Sequence, residues 1–92
     1  MEIKHSDDNQ KGRFFVEENG RLLAEMTYIW AGENKIIIDH TEVSPLLTGK
    51  GAGKLLLEKV VELARLKGVK IIPLCPFAKS VFDKNKDYQD VL

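Results

Sequence analysis

Two sets of residues alternate along the second quarter of the chain. Leu22, Ala24, Met26, Tyr28 and Trp30 interleave with Leu23, Glu25, Thr27 and Ile29, a period of two that predicts a strand with its aromatic-bearing face turned inward. The run before it, "RFFVEE", has strand composition, and Asn19-Gly20 between the two runs is a strong short-range signal for a β-hairpin. A second turn, "AGEN", leads into "KIIIDHTEV". There the alternation puts Ile36, Ile38 and His40 on one face and Ile37, Asp39, Thr41 and Val43 on the other. The first half of the chain thus reads as an antiparallel meander.

The period then changes. From Gly53 onward Leu56, Leu57, Val60, Leu63, Ala64 and the stem of Lys67 fall at helical spacings, with Lys54, Glu58, Glu62 and Arg65 opposite, the pattern of one amphipathic helix ended by Gly68. "VKIIPLC" from Val69 to Cys75 follows as a short apolar strand, so strand, helix and strand predict a right-handed crossover joining two parallel strands. A last helix is predicted from Phe77 to about Lys84, after Pro76, with Ala78, Val81 and Phe82 inward. The fold class is α+β: a mixed, mostly antiparallel sheet with one β-α-β crossover and a C-terminal helix, read as one domain over residues 1–92.

Length and charge narrow the possibilities. A chain of 92 residues buries somewhat over 60% of its unfolded surface, which leaves a ligand a cleft between strands and little else. Fourteen basic and fourteen acidic side chains cancel and are interspersed, so nothing favours nucleic acid or an anionic membrane as partner. One cysteine and two distant histidines, His5 and His40, give neither an internal disulfide nor a zinc set, and no metal is expected. The polar start and the absence of any apolar stretch near the roughly 20 residues of a membrane span place the expectation in the cytoplasm.

The densest chemistry lies in "EVSPLLTGKGAGKLLLEKV", where Gly49, Gly51 and Gly53 alternate with Lys50 and Ala52 and stand directly before the helix. Glycines admit positive φ and let a bulky group approach bare amides, and a helix start offers unpaired N–H groups and partial positive charge. Together they form a phosphate site. The mononucleotide loop G-x-x-x-x-G-K-[ST] fails at Thr48 and Leu55, and the dinucleotide fingerprint G-x-G-x-x-G fails on the even glycine spacing.

The stretch Thr48-Gly49-Lys50-Gly51-Ala52-Gly53 after "TEVSPLL" resembles the [QR]-x-x-G-x-[GA] pyrophosphate loop of the GNAT superfamily, the coenzyme A-dependent N-acetyltransferases. With "HTEV" before it and "IIPLCPF" after it, the resemblance covers nearly the whole chain and is strongest to very small, truncated members. It implies an acyl-CoA N-acyltransferase fold and acetyl-CoA held by Thr48, Gly49, Lys50, Gly51, Ala52, Gly53 and Lys54, with Val43 pairing the pantetheine arm. An amine on a protein or metabolite is the acceptor so implied. Thr48 departs from the usual Gln or Arg, which removes a side-chain contact to phosphate. The short chain lacks the helical segment that forms part of the acceptor pocket in larger relatives. The alternative is a non-catalytic acyl-CoA-binding or interaction module.

Acetyl transfer needs a base for the amine proton and an acid for the leaving thiolate. Phe82 stands where larger relatives often carry an acidic tyrosine. Cys75, at the end of the second parallel strand, is a candidate nucleophile or thiol proton donor and equally a buried core residue. His40 is a candidate base or a partly buried histidine on the Ile36/Ile38 face. Glu42 is a candidate base acting through water or a solvated carboxylate. Tyr28 and Trp30 read as core or cleft wall, and Tyr88 as an alternative donor.

Overall fold

A computed structural model describes all 92 residues. Its five strands are β1 (Lys4–Asp7), β2 (Lys11–Glu18), β3 (Arg21–Trp30), β4 (Lys35–Val43) and β5 (Lys70–Pro73). They form one sheet in the order β1-β2-β3-β4-β5, antiparallel except for the parallel pair β4–β5. Helix α1 (Ala52–Lys67) makes the crossover and α2 (Pro76–Lys84) follows β5. The α+β class, the mixed sheet, the crossover and the final helix are as the periodicities predict. A core of 22 buried residues lies between the two helices and one face of the sheet, including Met26, Tyr28, Ile36, Ile38, Leu56, Leu57, Val60 and Phe82.

The hairpin turn has Asn19 at φ 52° and Gly20 at φ 77°, the left-handed pair whose twist matches that of the flanking strands. Two bulges then correct the simple alternation. Val16 faces Ala24 but Glu17 faces Leu22, which leaves Leu23 as an extra residue on β3. Leu23 is therefore buried at 7% exposure, while Leu22, which the alternation groups with Ala24, is 43% exposed. On β4, Thr27 faces His40 but Tyr28 faces Ile38, so Asp39 is the extra residue. His40 consequently leaves the face of Ile36 and Ile38 for the solvent side, and Thr41 turns inward opposite Met26.

Strand β1 carries no apolar alternation and no sequence signal announces it. It is held by polar groups instead. His5 stacks on Phe14 with ring centroids 4.1 Å apart and planes 8° from parallel. The buried Tyr28 hydroxyl donates to Asp7 Oδ2 at 2.5 Å and bonds His5 Nε2 at 2.7 Å, while Trp30 Nε1–H donates to the same carboxylate at 3.0 Å. The C-terminal segment after α2 is a 3₁₀ stretch, Lys86–Val91, whose Val91 enters the core. Arg65 fastens it with two bonds to the Asp90 carboxylate at 2.8 and 2.9 Å and one to Asp87 O at 2.7 Å.

The candidate coenzyme cleft

The parallel register between β4 and β5 runs only from Lys35↔Lys70 to Ile38↔Pro73. Beyond it the amides of Leu74 and Cys75 both donate to Ile38 O at 3.1 Å, and the chain turns into α2. From the Asp39 bulge to Val43, β4 therefore pairs with β3 alone, and its other edge has no strand partner, a gap in the pairing. The gap sits beyond the carboxyl ends of two parallel strands, where open α/β sheets bind ligands.

At its mouth Ser44 leaves β4 with its N–H on Leu23 O at 2.7 Å, and its Oγ accepts from Leu46 N at 3.2 Å to start a 3₁₀ turn, Pro45–Leu47. Leu47 is buried and anchors this turn. The glycine loop follows. Gly49 at φ 81° and Gly51 at φ 67° are left-handed, a conformation that costs a residue with a Cβ about 1–2 kcal/mol. Gly53 is different: its backbone is helical and the Phe77 ring presses on it.

The N–H groups of Gly49, Gly51, Ala52, Gly53 and Lys54 donate to nothing in the protein, and the first internal bond of α1 is Leu55 N to Gly51 O at 3.0 Å. No side chain caps the helix and no acidic residue stands in its first turn, so its positive end is unopposed. Five unpaired donors with exposed Lys50 and Lys54 beside them suit a diphosphate by number and charge.

Cys75 is buried at the start of α2, and its thiol donates to Thr41 Oγ1 at 3.3 Å. Burial pushes the thiol pKa up. The Thr41 hydroxyl and the amides of Ala78 and Phe77 outweigh it and hold the thiol below its ordinary value of 9.0. His40 and Glu42 lie on the opposite, solvent face of β4, with Nε2 and Oε2 3.5 Å apart. Glu25, across the strand pair, brings its carboxylate to within 4.8 Å of both and also takes Arg13 Nη1 at 2.9 Å. The structure thus brings His40 to Glu42 and Glu25, and brings Cys75 to Thr41 in place of His40.

The sequence reading missed Thr41 because the Asp39 bulge reverses strand parity, and it missed Phe77 because a ring's contact with a distant glycine leaves no local pattern. Tyr28 is core: burial and the bond to Asp7 both raise its pKa, so it keeps its proton. Tyr88 packs edge-on against Phe82 at 6.3 Å, and its pKa is raised by burial and then by the Glu58 charge. Phe82 itself is buried in the core, 1% exposed.

The family model of the GCN5-related N-acetyl-transferases matches residues 13–91. The chain belongs to the GCN5-related N-acetyltransferase family. It is 45% identical to a GCN5-like protein of Staphylococcus aureus, with TM-score 0.79 over 98% of this chain and 85% of that one. It also superposes on the ribosomal-protein-alanine N-acetyltransferase of Brucella melitensis (17% identity, TM-score 0.68, 84% of this chain and 63% of that one). A Clostridium acetobutylicum protein whose structure contains acetyl-CoA matches at 19% identity and TM-score 0.69, over 84% of this chain and 57% of that one. Those last two likenesses establish fold alone. No curated protein matches the chain. Family membership makes it an N-acetyltransferase enzyme by class, and no helix is long and apolar enough to cross a membrane.

Proposed function

We propose that this N-acetyltransferase uses acetyl-CoA, held with its diphosphate on the unpaired amides of Gly49, Gly51, Ala52, Gly53 and Lys54 and its pantetheine arm along the open edge of β4 at Val43. The observation that carries the reading is the set of five unpaired N–H groups at an uncapped, unopposed helix start beside a strand gap. Lys50 and Lys54 add charge, and Thr48 contributes backbone only. Bound acetyl-CoA supplies an acyl group already activated as a thioester.

An acceptor amine, on a protein or a metabolite, attacks that carbonyl. The carbon–sulfur bond breaks, the nitrogen loses a proton and the departing sulfur gains one. In this reading Glu42, with His40 3.5 Å away, takes the amine proton, directly or through water. Cys75, beside Thr41 and with its lowered thiol pKa, supplies the proton to sulfur or carries the acetyl group in transit. The free thiol suits a reducing cytoplasm.

Calorimetry with acetyl-CoA tests the cradle, and amine-dependent release of free thiol tests turnover. At 100-fold excess over Kd a true ligand adds about 2.7 kcal/mol to stability, which thermal melting resolves. Mass spectrometry after exposure to acetyl-CoA tests the transit role: an acetyl label on Cys75 supports it, and no label with full activity in Cys75→Ala ends it.

A second reading, an acyl-CoA-binding module without efficient chemistry, is favoured by Phe82, a core residue with no proton to give where larger relatives carry an acid. Coenzyme binding without amine-dependent thiol release would select it.

A further inference from the structure

The third glycine of the loop needs a different account from the other two. At Gly49 and Gly51 an added Cβ would meet nothing within 4 Å. At Gly53 it would fall 2.5 Å from Cζ of Phe77, 2.9 Å from Cε2 and 3.2 Å from Cε1, closer than carbon atoms pack. The ring edge rests directly on the bare backbone of α1's first turn. Phe77 also belongs to the first turn of α2, two residues after Cys75, the residue that starts that helix. One residue therefore joins both junctions that flank the strand gap: its ring meets the start of α1, and its backbone lies in the turn that begins at Cys75.

Core filling does not account for this placement. Phe77 is 40% exposed, and α2 meets the core through Ala78, Val81 and Phe82. Pressed edge-on against main chain, the ring stays far more open than the core residue Phe82 and fixes a distance between two segments.

We infer that Phe77 is a positioning residue for coenzyme binding, its ring a spacer that sets the first turn of α1, and with it the unpaired amides, against the turn that carries Cys75. The inference rests on the reading of the loop as the coenzyme cradle. A methyl group at position 53 forces either the ring to swing out or the helix start to lift, and either movement undoes the seat. Removing the ring undoes it as well.

Calorimetric titration with coenzyme A of the wild type, Phe77→Ala, Phe77→Leu, Gly53→Ala and the Gly53→Ala/Phe77→Ala pair tests this, with a melting curve for each. Phe77→Ala and Gly53→Ala are each expected to weaken binding fivefold or more. The pair is expected to bind like Phe77→Ala, because the added methyl meets nothing once the ring is gone. Phe77→Leu, which keeps bulk at the seat, is expected within twofold of the wild type. A purely structural role would lower melting temperatures and leave the affinity of the folded protein unchanged.

Wild-type affinity in Phe77→Ala, or losses that multiply in the pair, overturns the inference. Should Gly53→Ala not fold, the contrast between Phe77→Ala and Phe77→Leu decides alone. A wild type with no affinity for coenzyme A overturns the cradle reading and this inference with it. A wild type that binds beside an unaffected Phe77→Ala overturns only the positioning role.

Discussion

Two polar clusters on this small sheet are built to opposite rules. Around Tyr28 every group is answered: the hydroxyl has Asp7 and His5, the Asp7 carboxylate has Tyr28, Trp30 and its own turn at Asn9, and the ring covers Gly12 so closely that a Cβ there would lie 2.4 Å from the oxygen. At the start of α1 five N–H groups within six residues are unanswered within the protein. Neither cluster is apolar, and composition does not separate them. What separates them is saturation: a satisfied network rigidifies what it joins, here an edge strand with no hydrophobic face, whereas unpaired donors on a fixed loop await a partner.

The comparison breaks most directly at Gly51. Gly51→Val puts a β-branched side chain at φ 67° where the protein offers it open space, so the cost within the chain is backbone strain while the added bulk stands over the amides. Coenzyme A affinity should fall about 100-fold or more, close to 3 kcal/mol at about 1.4 kcal/mol per tenfold, with the far-ultraviolet spectrum unchanged. Unchanged affinity in a titration calorimeter would refute the cradle.

At the saturated cluster Tyr28→Phe deletes one oxygen and takes a bond from each of two partners, Asp7 and His5. A loss of about 1–3 kcal/mol is expected, read as a melting temperature lower by about 4–8 °C per kcal/mol for a domain of this size, with coenzyme affinity unaltered. A weakened affinity would show that the two clusters are not independent.

The same cluster sets a pH window. Although burial raises the Asp7 pKa, the bonds from Tyr28, Asn9 and Trp30 bring it below 3.8. Its stabilising contribution is therefore complete above 3.8 and disappears as the pH falls through the lowered value. Tyr28 is raised above 10.0, so its contribution is present below pH 10 and is lost as the pH climbs beyond it. Melting temperatures should decline at both extremes in the wild type, and the alkaline decline should flatten in Tyr28→Phe.

A smaller effect sharpens the view of the gap itself. Thr41→Val removes the side-chain partner that lowers the Cys75 thiol, so the midpoint of alkylation against pH should move up from its wild-type position below 9.0. An unmoved midpoint would leave the amides of α2 as the whole cause. The smallest change expected is in Lys50→Gln and Lys54→Gln, each weakening coenzyme binding about two- to fivefold at low salt and less as salt screens these exposed charges.

Much of this architecture could be read from periodicity, because the long elements bury one face each. The hairpin at Asn19-Gly20, strands β3 and β4, the α1 stripe from Leu56 to Ala64 and its end at Gly68 all declared themselves. Strand β1 did not, since "KHSD" is held by side-chain hydrogen bonds and by stacking on Phe14, which no local pattern encodes. Of the candidate site, the loop was readable because left-handed turns and uncapped helix starts demand glycine locally. The distribution of side chains around the gap was not. It depends on where the register slips, and no residue type at Asp39 marks a slip. His40 was accordingly expected beside Ile38 and stands on the other side of the sheet. The residue behind Gly53 likewise came from 24 positions further along the chain.

The slip at Asp39 acts on β4 as a change of reading frame acts on a message. Upstream, even-numbered Ile36 and Ile38 belong to the interior; downstream, it is odd-numbered Thr41 that turns inward. Excising that one amino acid would close the bulge and leave His40 opposite Thr27 and Thr41 opposite Met26; pairing Asp39 with Thr27 in regular register would instead send the imidazole of His40 into the molecule and the hydroxyl beside the cysteine out to water. Related chains aligned with a gap a single position astray would thus be assigned each other's inside as outside.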